Sequence, residues 1–323
     1  MEPLADVPQH TCRIDHLETF HGLPVLTFPQ FSDLRPLPDD PSSVAWRLQC
    51  HYSQDEDLAY MDRFLASVPL EEVRALVLGA PWYGNEDDGA EAVEELCSLA
   101  PRLSALEALF LGDLVAEECE VSWIEQSDLT PLLEAYPRLR ELGVRGAEKL
   151  VWPVVRHEGL RTLRFESGGL PAAVVRDVAA SDLPALECLD LWLGVEDYGG
   201  DATVEDLWPL LTGERLPSLR HLGLQNSPSA NEIAAAVAQA PVVARLESLA
   251  LSMGTLDEEG AMALLSGQPL THLRRLDLRA NYLDDAMMLR LWETLEPAGV
   301  RVDMSEQKTD ERDEDGRYTS VAE

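Results

Sequence analysis

The stretch LRRLDLRANYLDDAMMLRLWETL, residues 273–295, holds two periodicities in succession. Leu273 leads in, and Leu276 and Leu278 stand two residues apart, as one face of a short strand requires. Asn281 and Leu283 follow, and from Asp284 onward the apolar residues return at helical spacing. A single strand–helix pair cannot bury its own apolar face, so the fold depends on whether the pair recurs.

It recurs along most of the chain. The strand pattern reads VRALVLG from Val73, LEALFLG from Leu106, LRELGVRG from Leu139 and LRTLRFES from Leu160. LECLDLWLG from Leu186, LRHLGLQN from Leu219, LESLALSM from Leu246 and LRRLDLRAN from Leu273 continue it, at spacings of 33, 33, 21, 26, 33, 27 and 27 residues. Helical spacing follows at 90–100, 171–180, 231–240, 258–267 and 284–295. Asp128, Thr203, Asp257 and Asp284 stand where an N-cap oxygen is needed, and Pro137, Pro184, Pro217 and Pro269 stop the chain before the next strand. Stacked units of this kind bury a continuous core between a parallel sheet and a layer of helices.

The pattern LxxLxLxxNxLxDxx in 273–287 resembles that of leucine-rich repeat proteins, and the long helical repeats are similar to the ribonuclease-inhibitor-like subclass. The resemblance covers residues 44–304, about nine repeats, with Asn281 at the backbone-bonding Asn position, Asn226 close to it and Gly254 where an Asn would stand. It implies an α/β fold: a right-handed horseshoe solenoid with a parallel concave sheet and convex helices. Residues 43–52 read as a degenerate first strand with Trp46 and Leu48 in the core, and residues 1–43 as a capping segment over the open end. The opening HLETFHGLPVLTFP also resembles that of a small bacterial leucine-rich repeat family with no established activity, whose members tend to be encoded beside radical-SAM-like and ATP-grasp-like enzymes. Residues 299–305 fit a final strand, and 305–323 form either an acidic tail or, through RYTSV at 317–321, a strand that caps the sheet edge.

Composition narrows the function. A net charge of −34 over 323 residues repels phosphate backbones and anionic membranes, so neither is expected as a partner. Only Lys149 and Lys308 among 25 basic residues are lysine, a bias of GC-rich bacterial coding. Five scattered cysteines without a CxxC pair, an N-terminus without a basic start or apolar run, and no apolar stretch of membrane-spanning length together give the expectation of a reduced, cytoplasmic protein.

Alternation places Arg145, Arg164, Glu166, Asp190, Trp192, His221 and Gln225 on the outward face of the central strands. Arg and Trp dominate binding hot spots, whereas cross-strand pairing such as Arg164 with Asp190 or Glu166 would be purely structural. Three long loops, 79–89, 112–128 and 194–206, carry Trp82, Tyr83, Trp123 and Tyr198 among carboxylates, as a contact rim or as loops packed on the solenoid edge. Cys12, His16 and His21 match no standard zinc spacing, His221 beside Asp190 is a weak acid–base pair, and no phosphate loop, nucleophile elbow or dinucleotide fingerprint occurs. No cofactor, metal or catalytic residue is therefore expected. The expected function is that of a non-enzymatic protein-binding module or scaffold using the concave face and the acidic aromatic rim. The resemblances leave two alternatives: a regulator of an enzyme, such as a GTPase activator, and an accessory protein to radical-SAM-like or ATP-grasp-like enzymes.

Overall fold

The outward and inward residues of each strand separate onto two faces in the computed structural model, which describes residues 14–30, 35–50, 60–80, 88–309 and 316–322. The chain divides into two compact units, Met1–Trp152 and Pro153–Glu323. In the first unit, strands β1 (Thr19–Phe20), β2 (Leu23–Thr27), β3 (Ala45–Leu48), β4 (Ala75–Leu78), β5 (Ala108–Leu111) and β6 (Glu141–Arg145) lie side by side in chain order. β1 and β2 form an antiparallel hairpin, and every pairing from β2 to β6 is parallel. Helices α1 (Tyr60–Ser67), α2 (Asp88–Leu99) and α3 (Thr130–Ala135) connect the strands. Leu76, Leu78, Leu109, Leu111, Leu142 and Val144 are buried, as are Phe64, Leu96 and Leu132 on the helices.

Aromatic residues anchor the first repeat of this unit. Phe28, Trp46, Tyr60 and Phe64 pack with ring centroids 5.3–6.2 Å apart, a distance at which edge-to-face contact is favourable. Their polar tips are satisfied within the cluster, since the Trp46 indole donates to the Pro41 carbonyl at 3.0 Å and the Tyr60 hydroxyl to that of Phe28 at 2.8 Å. Within the expected first strand, Ala45–Leu48 form β3, with Trp46 and Leu48 buried.

The second unit repeats the plan. β7 (Thr162–Glu166), β8 (Cys188–Trp192), β9 (His221–Gln225), β10 (Ser248–Ala250), β11 (Arg275–Asp277) and β12 (Arg301–Asp303) pair in parallel in chain order. Helices α4 (Ala172–Ala180), α5 (Val204–Thr212), α6 (Ala230–Val237), α7 (Glu258–Ser266) and α8 (Asp285–Leu295) alternate with them. The caps follow the sequence: Asp257 accepts from the Glu259 amide at 2.8 Å and Asp284 from that of Met287 at 2.7 Å, while Thr203 and Asp206 form a capping box.

Two features mark the turns out of the strands. Gly112, Gly146, Gly194, Asn226, Met253 and Ala280 all take positive φ, so the chain leaves the strand through a left-handed residue even where no glycine is available. Asn281 then ties its turn together: its amide donates to the carbonyls of Leu251, Leu278 and Arg279 at 2.9–3.3 Å, and its oxygen accepts from the Leu256 amide at 3.1 Å. Asn226 does something different. It pairs with both backbone groups of Val321, near the C-terminus.

The segment 317–322 accordingly runs along these turns, and its described hydrogen bonds go to them rather than to β12. The Ser320 amide donates to the Met253 carbonyl at 2.9 Å, the Tyr318 amide to the Tyr282 hydroxyl at 2.9 Å, and Arg317 pairs with Asp257. Lys308 lies 4.9 and 4.8 Å from the ring centroids of Tyr282 and Tyr318 and donates to the Tyr318 carbonyl at 2.7 Å. Residues 317–322 form no strand of the sheet and run along the turns instead. The cause is chemical: Asn226, Met253 and Tyr282 present hydrogen-bonding groups at the strand ends, and RYTSV pairs with them.

Candidate partner-binding face

In the first unit the outward residues form rows. Ala45, Ala75, Ala108 and Glu141 are in register, and so are Arg47, Val77, Phe110 and Gly143. Small residues make a shallow trough with Phe110 in it, and Gly143 is what lets the phenyl ring lie flat, because a Cβ there would collide with Phe110. The trough is filled. Phe20 stands edge-on to Phe110 with centroids 5.9 Å apart, and Leu17, Leu23 and Val25 pack around the same buried cluster.

Residues 14–21 therefore do more than close the end of the core, where the sequence places the capping segment. β2 does cover the edge of β3, but the preceding chain folds back across the sheet face. Its backbone is held at both sides. The Leu17 amide donates to Asp113 Oδ1 at 3.1 Å, Arg47 donates to the Leu17 carbonyl, and Arg145 Nη2 to that of Asp15 at 3.2 Å. His16 lies between Asp113 (3.4 Å) and Glu118 (3.3 Å), and His21 between Glu141 (2.9 Å) and Glu107 (3.7 Å).

Asp113 is the electrostatic centre of this arrangement. It is fully buried and pairs with Arg47 Nε at 2.7 Å and with Arg145 Nη1 at 3.5 Å. Burial alone would push its carboxyl upward, but the hydrogen bond from His16 and the guanidinium groups of Arg145 and Arg47 hold it below the usual carboxylate range. Glu107 behaves alike: burial opposes ionisation, and Arg74, Arg140 and His21 more than offset it. Neither Arg47 nor Asp113 stands out in the sequence. The available signal was an outward Arg on an otherwise alanine-lined face, which demands a buried counter-charge.

Arg145, among the candidate residues, is thus engaged by Asp113, Asp15 and the Leu114 carbonyl (2.8 Å) and lies over the Phe110 ring at 5.4 Å. In the second unit Arg164, Glu166, Asp190, Trp192, His221 and Gln225 are all buried. Arg164 pairs with Glu166 at 3.1 Å along its own strand. Asp190 accepts from Gln225, which in turn accepts from Ser252, and Gly223 leaves the space into which the Asp190 carboxylate leans. Further along, Asp277 binds Arg275 at 3.2 Å and Arg279 at 2.9 Å, a self-paired surface.

The rim residues divide differently. Trp82 and Tyr83 lie outside the described residues. Tyr198 is half-buried in the short turn Glu196–Tyr198. Trp123 is 65% exposed, although its neighbours Val121 and Ile124 are buried and fix the turn that presents it. Lys149 pairs with Glu125 at 2.6 Å beside it.

Cys12 also lies outside the described residues, and among those described no three His, Cys, Asp or Glu side chains converge to hold a metal ion. Among them, too, no helix is long and apolar enough to cross a membrane.

No protein-family model matches the chain, and no curated protein does. Among solved structures it is similar to a protein from Bacteroides fragilis, a Northeast Structural Genomics Consortium target. The two are 31% identical, the match covers 87% of this chain and 78% of that one, and the TM-score is 0.75. An identity of that level over most of both chains, on an α/β framework with a largely parallel sheet, means that this chain belongs to the same family as the Bacteroides fragilis protein.

Proposed function

We propose that the chain is a leucine-rich repeat module of the ribonuclease-inhibitor-like type, right-handed, that binds a protein partner in the cytoplasm and carries out no chemistry itself. The single observation that carries the reading is Trp123: an indole exposed on a turn anchored by buried Val121 and Ile124. A large aromatic held rigidly outward loses little entropy on binding and is the residue type most enriched at interface hot spots. The repeated strand–turn–helix units, with Asn281 bonding the backbone of its own turn and of the preceding repeat, support the repeat type.

The acidic surface favours a basic partner and disfavours nucleic acid. No disulfide joins the described cysteines Cys50, Cys97, Cys119 and Cys188 to one another, which suits a reducing compartment. The first unit's sheet-face residues take part where residues 14–21 above them yield, and Trp123 offers the first contact. The test is affinity purification from the native host with wild-type and Trp123→Ala chains as bait. Recovery of a stoichiometric protein by the wild type, reduced at least roughly tenfold by the substitution with the fold intact, is expected from a hot-spot tryptophan. Recovery of a tightly held metabolite or metal and no protein would overturn the reading.

A further inference from the structure

Besides the hairpin bonds that tie Glu18–Phe20 to β2, the contacts that hold residues 14–21 fall into two kinds. One kind reads the backbone: Arg47, Arg145 and Asp113 bind two carbonyls and one amide of an extended segment, whatever its side chains. The other reads the sequence: Phe20 enters the alanine-lined trough, and His21 sits between Glu107 and Glu141. Main-chain bonds for affinity and pockets for selected side chains are how protein surfaces recognise extended peptides. The floor of the trough is Ala45, Ala75, Val77, Ala108 and the Phe110 ring, and within the segment Phe20 and Leu17 pack onto it. Beyond it, β2 pairs with β3 through Val25, Leu26 and Thr27, residues that do not belong to the segment.

We propose that this face of the first unit is a docking groove for an extended peptide of a partner protein, and that residues 14–21 are its displaceable resident occupant. The peptide that fits presents an aromatic residue followed directly by an imidazole or basic one, as Phe20 and His21 do. The carboxylates of Glu107 and Glu141 receive that second residue, and a chain of net charge −34 attracts a cationic segment before contact. The proposal rests on the binding-module reading and names the partner's chemistry. A tethered occupant competes at an effective concentration on the order of millimolar, so the groove is closed until a partner outcompetes it.

The experiment is fluorescence anisotropy with a labelled peptide of the sequence of residues 14–23, titrated with the full-length chain. Phe20→Ala weakens the resident segment, and this variant is expected to bind the peptide at least tenfold more tightly than the wild type. The same peptide with Phe replaced by Ala is expected to lose at least tenfold on that variant. Should Phe20→Ala fail to fold by circular dichroism, His21→Ala removes one imidazole and leaves the apolar packing in place. A folded variant that ignores the peptide, or that binds it no better than the wild type, overturns the proposal. Partner capture is read separately: a wild-type chain that recovers no protein from the native host, with the peptide result intact, sinks the module reading and leaves the groove.

Discussion

Two buried polar residues carry a large share of the architecture at the scale of single side chains. Asp113 compensates Arg47 and Arg145 in a buried site, and removing one partner of a buried pair leaves a charge with nothing to offset it. Asp113→Asn is expected to cost about 3 kcal/mol in urea denaturation, and an effect below about 1 kcal/mol would show that the guanidinium groups find other partners. The pH dependence follows with a definite sign. Asp113, Glu107 and Asp257 all have native carboxyls held below their unfolded values, so their stabilisation is complete above the unfolded range and is lost as pH falls through the depressed native values. Stability should therefore drop below about pH 4, and the drop should be shallower in Asp113→Asn. Asn281→Ala removes a fully buried amide that makes two bonds to its own turn and two to the preceding repeat, and a loss of about 2–3 kcal/mol is expected in the same assay. Asn281 was legible in the sequence because the repeat pattern marks it. Asp113 was not, because its role comes from Arg47, 66 residues away.

Elements were more legible than the surfaces they bury. Each repeat announces its strand by period two and its helix by period 3.6, so β4 through β11 and the helices α4, α6, α7 and α8 fall where the apolar residues place them. Terminal segments carry no such period. Residues 14–21 and 317–322 make local choices, dictated by what the repeats leave unsatisfied: an alanine trough with charged margins for one, open strand-end turns for the other. For the C-terminal segment this coupling is measurable. Deleting residues 316–323 should lower the urea midpoint, and Asn226→Ala should cost less in the shortened chain than in the intact one, by at least about 1 kcal/mol. Equal costs in both would mean that Asn226 and Val321 contribute independently.

For the molecule as a whole, a net charge of −34 sets a background of self-repulsion that the ion pairs on the sheet faces only partly offset. Salt screens that repulsion over about 10 Å at 0.1 M, whereas the buried pairs around Asp113 are little affected. Raising sodium chloride from about 0.05 to about 0.5 M should lift the melting temperature by roughly 2–4 °C for each kcal/mol gained, and a fall would show that surface ion pairs outweigh the repulsion. On the proposed reading the same charge favours a basic partner, and residues 14–21 over the first unit's sheet face are the gate to it. Amide hydrogen exchange on the unmodified chain tests this gate most directly. The Leu17 amide, bound only to the Asp113 carboxylate, should exchange at least about 100-fold faster than the amides of β5, through an opening that leaves the sheet protected. Exchange of Leu17 and β5 together, only on global unfolding, would contradict a separable segment and make residues 14–21 a fixed part of the core.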